Sequence, residues 1–265
     1  MKRISSRQHP LVATFRALAR GPTAGDDRLL LDGHHLVSDA VGAGLRIETA
    51  AFGSCALASD EGARLAHALS AQAADVVEVS EAVLDAMSPA RTPSGIVAIA
   101  ARPACSLTRV LERRPQLLLV AADVQDPGNV GAIIRAAEAG GATGVVFCGA
   151  SADPFGWKAL RGSMGSTLRL PVAAQLDLLE TIGAIRAADI RLLATIPRGG
   201  RSPDAVDLRV PLAFLLGGEG PGLASAVIDA ADDGVSIPMQ HPVESLNVAV
   251  AAALLVYAAA RQRPQ

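Results

Sequence analysis

Aromatic side chains are scarce in this chain. Phe, Tyr and Trp make up 3% of its 265 residues, with a single Trp and a single Tyr. So few rings do not suit a stacking platform of the kind that reads single-stranded bases. Cysteine is nearly absent as well. Cys55, Cys105 and Cys148 are odd in number and far apart, which excludes a disulfide framework or a CxxC metal knuckle and suits incidental thiols in a reducing cytosol. Net charge is close to zero, at −2, so no global basic field exists and any nucleic acid must be held by a local cluster of Lys and Arg. The longest apolar run, residues 246–260, falls short of the roughly 20 residues that cross a bilayer. The N-terminal MKRISSRQHP has charge but no apolar segment behind it, unlike a secretory signal. Together these absences predict a soluble, cytoplasmic protein with no membrane span and no metal site.

What is present is ample apolar material, 50% of the residues, in a chain long enough for two domains. The first stretch is basic and amphipathic, with Leu11, Phe15 and Leu18 at helical spacing. Strands are expected at 28–32, 46–52, 75–79 and 95–100. Helices are expected through Leu36, Val37 and Ala40, at 61–71, and at 80–87 with Ser80 as cap. This alternation predicts a small α/β domain over residues 1–103, with 103–115 as linker or first turn of the next. Residues 104–265 alternate more clearly. Strands are expected at 116–124, 145–148, 192–195, 212–216 and 234–238, and helices at 130–139, 176–187, 223–230 and 244–261. The strands are apolar throughout, as in a parallel sheet covered on both faces.

Three loops at the C-terminal ends of these strands carry the chemistry, where open α/β sheets bind ligands. The first is DVQDPGNVGAIIR, residues 123–135. Pro127 and Gly128 turn the chain, and Asn129 can cap the following helix. Arg135 interrupts a face of small apolar residues, which predicts a buried or half-buried guanidinium paired with an anion. The second, FLLGGEGPGL at 214–223, runs a buried strand into a glycine-rich turn holding one carboxylate, Glu219. Its spacing is neither GxGxxG nor a phosphate-cradling P-loop; it is either a close-approach surface for a flat ligand or a purely structural turn. The third, VSIPMQHPVESLNVAVAAALL at 235–255, ends a strand at Pro238 and places Glu244, Ser245 and Asn247 at the mouth of a helix apolar on nearly every face. Such a helix is expected to be buried all round, by a partner subunit or by an unusual passage through the fold.

In order and spacing, DPGNVGAIIRAAEAGGATGVVF, LLGGEGPGL and IPMQHPVESLNVAVAAALLVY resemble the three motifs of the SpoU class (TrmH-like) of SPOUT RNA 2'-O-ribose methyltransferases. With Leu168-Arg-Leu-Pro171-Val they cover most of residues 116–262. Residues 5–11, 31–33 and 91–97 resemble the family's ribosomal-protein-like substrate-binding domain, although Asp32 stands where the family more often has Glu. The resemblance implies a C-terminal trefoil-knotted, S-adenosylmethionine-dependent domain, a smaller N-terminal α/β RNA-binding domain, and a homodimer with sites at its interface. The substrate would be ribosomal or transfer RNA. By the same resemblance Leu216, Gly217, Gly218, Glu219, Gly220, Ile237, Ser245 and Leu246 would hold the cofactor. Asn129, Arg135, Glu219, Ser245 and Asn247 would line the reaction centre. Family proposals make Arg135 the proton acceptor, but a guanidinium with a pKa above about 12 is a poor base at neutral pH; holding phosphate and stabilising an alkoxide suit it better.

RNA contacts are expected from Arg7, His9, Arg16, Arg20, Arg28 and Arg161. Each also has a plain reading as a solvated or capping residue, as do Ser163, Ser166, His34 and His35. Two rival readings stay open: a catalytically inactive knotted RNA-binding protein, and a small-molecule α/β enzyme with a nucleotide cofactor.

Overall fold

The computed structural model describes residues 1–21, 26–114 and 116–263. In chain order it begins with β1 (Lys2–Ile4), α1 (Pro10–Arg20), β2 (Arg28–Asp32), α2 (His34–Gly42), β3 (Ile47–Gly53), α3 (Ser54–Leu57), α4 (Asp60–Ala71), β4 (Asp75–Val79), α5 (Glu81–Met87) and β5 (Ile96–Ala101). It continues with α6 (Leu107–Glu112), β6 (Leu117–Ala122), α7 (Pro127–Ala139), β7 (Gly144–Cys148), α8 (Trp157–Ser163), α9 (Ser166–Arg169) and β8 (Val172–Leu176). Then come α10 (Leu178–Ala187), β9 (Arg191–Thr195), β10 (Leu212–Gly217), α11 (Ser225–Asp229), β11 (Asp233–Val235) and α12 (Val248–Gln262).

The chain divides into two compact units. One comprises Met1–Ala104 together with Phe155–Leu168; the other comprises Cys105–Pro154 and Arg169–Gln265. In the first, the five strands order as β1-β4-β3-β5-β2, with β5 antiparallel to both neighbours. Helix α1 starts where Pro10 occupies its first turn and His9 Nδ1 accepts the Leu11 N–H at 3.2 Å. Its spaced apolar residues Val12, Phe15 and Leu18 are buried in a core shared with Leu30, Val77 and Met87. In the second unit six strands order as β11-β9-β10-β6-β7-β8, all parallel. Every residue of β6 is buried, which is why its sequence shows no alternation.

Several expectations shift. The helix expected from 244 begins at Val248, because Asn247 caps it: Asn247 Oδ1 accepts from Ala249 N and Val250 N at 2.9 and 3.3 Å. Nor is α12 buried all round. Val250, Leu254 and Tyr257 are 48%, 46% and 48% exposed, a stripe at i, i+4 and i+7 on the side away from α7 and β10. Where α12 meets the end of α7 the fit is close: a Cβ on Gly140 would lie 2.2 Å from Val256 Cγ1. The strand expected to reach Pro238 ends at Val235. Within the expected linker, Leu107–Glu112 is helical, capped by Ser106 and anchored by buried Val110; its end at Pro115 lies outside the described residues. Ser80 occupies the cap position of α5 but its side chain makes no capping bond. Among the described residues, no helix is long and apolar enough to cross a membrane.

Candidate functional site

A cavity of about 690 Å³ opens at the C-terminal ends of β9, β10 and β11. Leu216, Gly217, Gly218, Glu219 and Gly220 line it from the glycine-rich turn. Ile237, Ser245 and Leu246 line it from the segment before α12, with Asn247 at the helix start. All eight residues expected at a cofactor pocket therefore share one cavity. The glycines have a reason in the chain's own path. A Cβ on Gly218 would fall 2.0 Å from the Asp123 carbonyl oxygen, and one on Gly217 would fall 2.3 Å from the Gly222 carbonyl carbon. The turn thus presses its backbone against the first loop, and side chains at these two positions would collide with main chain rather than with a ligand.

Polar groups from all three loops meet at the cavity's edge. Asn129 does not cap α7; Asp126 does, accepting from Gly128 N at 2.7 Å. One turn in, Asn129 Nδ2 donates to Glu219 Oε1 at 2.6 Å, and its Oδ1 accepts from Asn247 Nδ2 at 3.0 Å. The second Glu219 oxygen accepts the Gln125 N–H at 3.1 Å. Partial desolvation raises the Glu219 carboxyl, but the Asn129 amide and the backbone N–H groups of Glu219, Gln125 and Asp126 together hold it below the ordinary range. It is an anion tied at both oxygens. Ser245 is exposed beside this chain of bonds and has no bonding partner among the described residues.

Arg135 departs from expectation. It is exposed, it is not part of the cavity wall, and it has no hydrogen-bond or ionic partner among the described residues. The buried face of α7 is Val130, Ile133, Ile134 and Ala137; Arg135 lies on the opposite side, where small residues border solvent rather than core. The cavity also has a wall that the motifs did not disclose, Thr195 at the end of β9 with Ile196, Pro197 and Arg198 after it. Its signal was only its place at the end of a parallel strand.

The residues expected to touch RNA fall in the first unit and are unevenly free. Arg7 and Arg16 are exposed, and each donates Nε to a carbonyl of α5, Ala82 at 2.8 Å and Ala86 at 3.0 Å. Arg20 is exposed in the last turn of α1. His9 is engaged as the cap of α1. Arg28 makes two parallel bonds to Asp26, at 2.8 and 2.9 Å, which raise the guanidinium and lower the carboxyl; its charge is answered internally. Arg161 is exposed on α8, but Ser163 and Ser166 are buried, and Ser163 bonds the Leu160 carbonyl, so the two serines turn inward rather than to a ligand. His34 Nδ1 lies 3.2 Å from Glu61 Oε1. Burial pushes the Asp32 carboxyl up, against the pull of the Ser88 hydroxyl that donates to it, of Arg161 and of Ser94.

Comparison with known proteins gives this arrangement its context. Residues 116–257 match the SpoU rRNA Methylase family, and residues 24–98 match an MRM3-like substrate binding domain. An uncharacterized tRNA/rRNA methyltransferase of Synechocystis is 34% identical over 98% of this chain and 94% of its own length. The Bacillus subtilis 23S rRNA (guanosine(2553)-2'-O)-methyltransferase RlmP is 30% identical over 97% of this chain and 98% of its own. The crystal structure of an AdoMet-bound rRNA methyltransferase from Sinorhizobium meliloti superposes with a TM-score of 0.88, at 28% identity, over 98% of this chain and 97% of that one. With matches that span both halves in the order of the three loops, the chain belongs to the SpoU rRNA methylase family.

Proposed function

We propose that the chain transfers a methyl group from S-adenosylmethionine to a ribose 2'-hydroxyl of ribosomal or transfer RNA. The observation that carries this reading is the Glu219–Asn129–Asn247 chain of bonds at the edge of the cavity. It fixes polar groups from three separate loops at one place, and an inactive RNA-binding protein would have no use for it. The cavity suits the cofactor: its volume lies within the range of small-molecule sites, its walls are mostly apolar, and a few polar groups converge on it. When bound, the cofactor supplies an electrophilic sulfonium methyl. The chain's own part is positional and electrostatic. Leu216, Gly217, Gly218, Gly220, Ile237 and Leu246 hold the flat and apolar portions, and Ser245 and Asn247 offer hydrogen bonds at the mouth. Glu219, kept ionised, fixes Asn129. Holding an oxygen nucleophile in line accounts for much of such an acceleration. Arg135, exposed and uncommitted, would hold the target phosphate and stabilise negative charge on the 2'-oxygen as its proton passes to water and the oxygen takes the methyl group, with S-adenosylhomocysteine as the leaving product.

The finer architecture belongs to the same proposal. Residues 104–265 are the methyltransferase part, in keeping with the family match over 116–257, and carry the trefoil knot of its class. The N-terminal unit captures RNA through Arg7, Arg16, Arg20 and Arg161. The protein works in the cytoplasm as a homodimer; the Val250, Leu254 and Tyr257 stripe supports the dimer, since an exposed apolar row on an otherwise buried helix needs a cover.

The test is direct. The purified chain is incubated with ribosomal and transfer RNA and methyl-labelled cofactor, and the digest is analysed for 2'-O-methylnucleosides. Label in a 2'-O-methylnucleoside is expected; label only in base-methylated products would end the ribose assignment. Calorimetric binding of NAD without binding of S-adenosylhomocysteine would remove the cofactor.

A further inference from the structure

The surroundings of β9, from α10 before it to the segment after it, hold arginines in two states. Arg191 and Arg201 share the Asp233 carboxylate at 3.3 and 3.2 Å, and Arg186 lies 3.7 Å from Asp232. Arg198 has no such partner among the described residues, yet it lines the cavity. Its backbone is not loose. Ile196 N donates to the Val235 carbonyl at 3.0 Å, Ser236 Oγ donates to the Ile196 carbonyl at 2.8 Å, and Gly200 N donates to Ser236 Oγ at 2.9 Å. The approach is close enough that a Cβ on Gly200 would lie 2.8 Å from the Val235 carbonyl carbon. The segment on either side of Arg198 is thus clamped to β11 and its exit, and the unpaired guanidinium is presented from fixed main chain.

Among the cavity's lining residues, Arg198 and Glu219 alone carry charge. Glu219 is committed on both oxygens and repels a second anion. The cofactor proposed above brings one anionic group, the α-carboxylate of its methionine portion. A guanidinium matches a carboxylate in shape and charge better than any other side chain does. We propose that Arg198 binds that carboxylate, and so makes the cavity select the complete cofactor over analogues that lack it. The inference rests on the cofactor reading, and the experiment separates the two.

Binding of S-adenosylhomocysteine and of S-adenosyl-3-thiopropylamine, which lacks only the carboxylate, is measured by calorimetry on the full-length wild type, Arg198→Ala and Arg198→Lys. The alanine variant should lose roughly 10- to 100-fold in affinity for S-adenosylhomocysteine, the scale of removing a charge-assisted bond. Its affinity for the decarboxylated analogue should stay within about threefold of wild type, and lysine should recover part of the loss. An equal loss for both ligands would make Arg198 merely structural and overturn the proposal. Unchanged cofactor binding with a raised KM for RNA would assign the guanidinium to a phosphate instead and overturn it too. Wild-type protein that binds neither ligand would overturn the cofactor reading itself.

Discussion

Arg7 and Arg16 each spend their Nε on a backbone carbonyl of α5, whereas Arg135 and Arg198 have no protein acceptor among the described residues. The first pair strap α1 and the loop before it to α5 and are themselves exposed, so they combine a structural bond with a surface charge. The second pair make no hydrogen bond or ion pair within the described residues. A cation left without a partner beside a cavity, or on the helix that carries Asn129, is available to an anion from outside. The same division runs through the other polar groups. Asn247 is committed twice, to the start of α12 and to Asn129, while Ser245, two residues away, is committed to nothing among the described residues.

The division can be broken at several points. The largest effect is expected at Arg135→Ala: kcat should fall by about 100- to 1,000-fold, the scale of removing an oxyanion donor, with an unchanged Tm and S-adenosylhomocysteine affinity within a few-fold. A drop in Tm comparable to that of a core variant would show that Arg135 is structural after all. Asn247→Ala should move both quantities. Loss of the cap costs about 1 kcal/mol, roughly 2–4 °C in a scanning melt, and turnover falls because Asn129 loses its second anchor; a variant that melts lower but turns over normally would uncouple the cap from the chemistry. Arg7→Ala with Arg16→Ala should weaken RNA binding several-fold and make the slope of log affinity against log salt shallower, by about one for each phosphate that is no longer neutralised. An unaltered slope would leave these arginines with only their strapping role. The smallest effect concerns Asp32, whose carboxyl is raised by burial. A raised carboxyl favours the protonated folded form, so its stabilisation is full below the unfolded value near 3.8 and is lost as pH rises through the higher folded value. Asp32→Asn should therefore melt slightly higher than wild type at pH 7 and match it at pH 3; a wild type that is the more stable at pH 7 would mean that the Ser88, Ser94 and Arg161 contacts outweigh burial.

How much of this could be read from the residues depends on what each signal measures. The strands β2, β6, β7, β9 and β10 were legible because apolar runs of their length have few other uses. The glycine-rich turn was legible as a turn at the end of a strand, although Gly217 serves the turn's own close fold against Gly222 and Gly218 its approach to Asp123. Arg135 was misjudged for a physical reason: Ala132 and Ala136 sit on its side of α7, and alanine tolerates solvent as readily as core, so an alanine-rich face does not reveal which way it points. The exposed stripe of α12 was hidden by the same ambiguity, since composition reports hydrophobicity and not what covers it. Strand β8 follows Pro171, is partly exposed and has its apolar residues interrupted by Gln175, so it shows no clear run or period. The wall from Thr195 to Arg198 had no motif at all; it is assembled by the clamp to Ser236 and β11, a contact across some forty residues that no local pattern contains.

Strands β6 and β10 lie side by side, Leu117 opposite Leu212, and most of the second unit's sequence runs between them. Such pairing puts the entropy of closing a long loop ahead of the contacts that reward it, and chains dominated by distant pairs fold slowly. Refolding should be slow for a protein of this size, and the pocket should be among the last features to mature, because the turn after β10 gains its shape only once Asp123, at the far end of β6, is in place beside it.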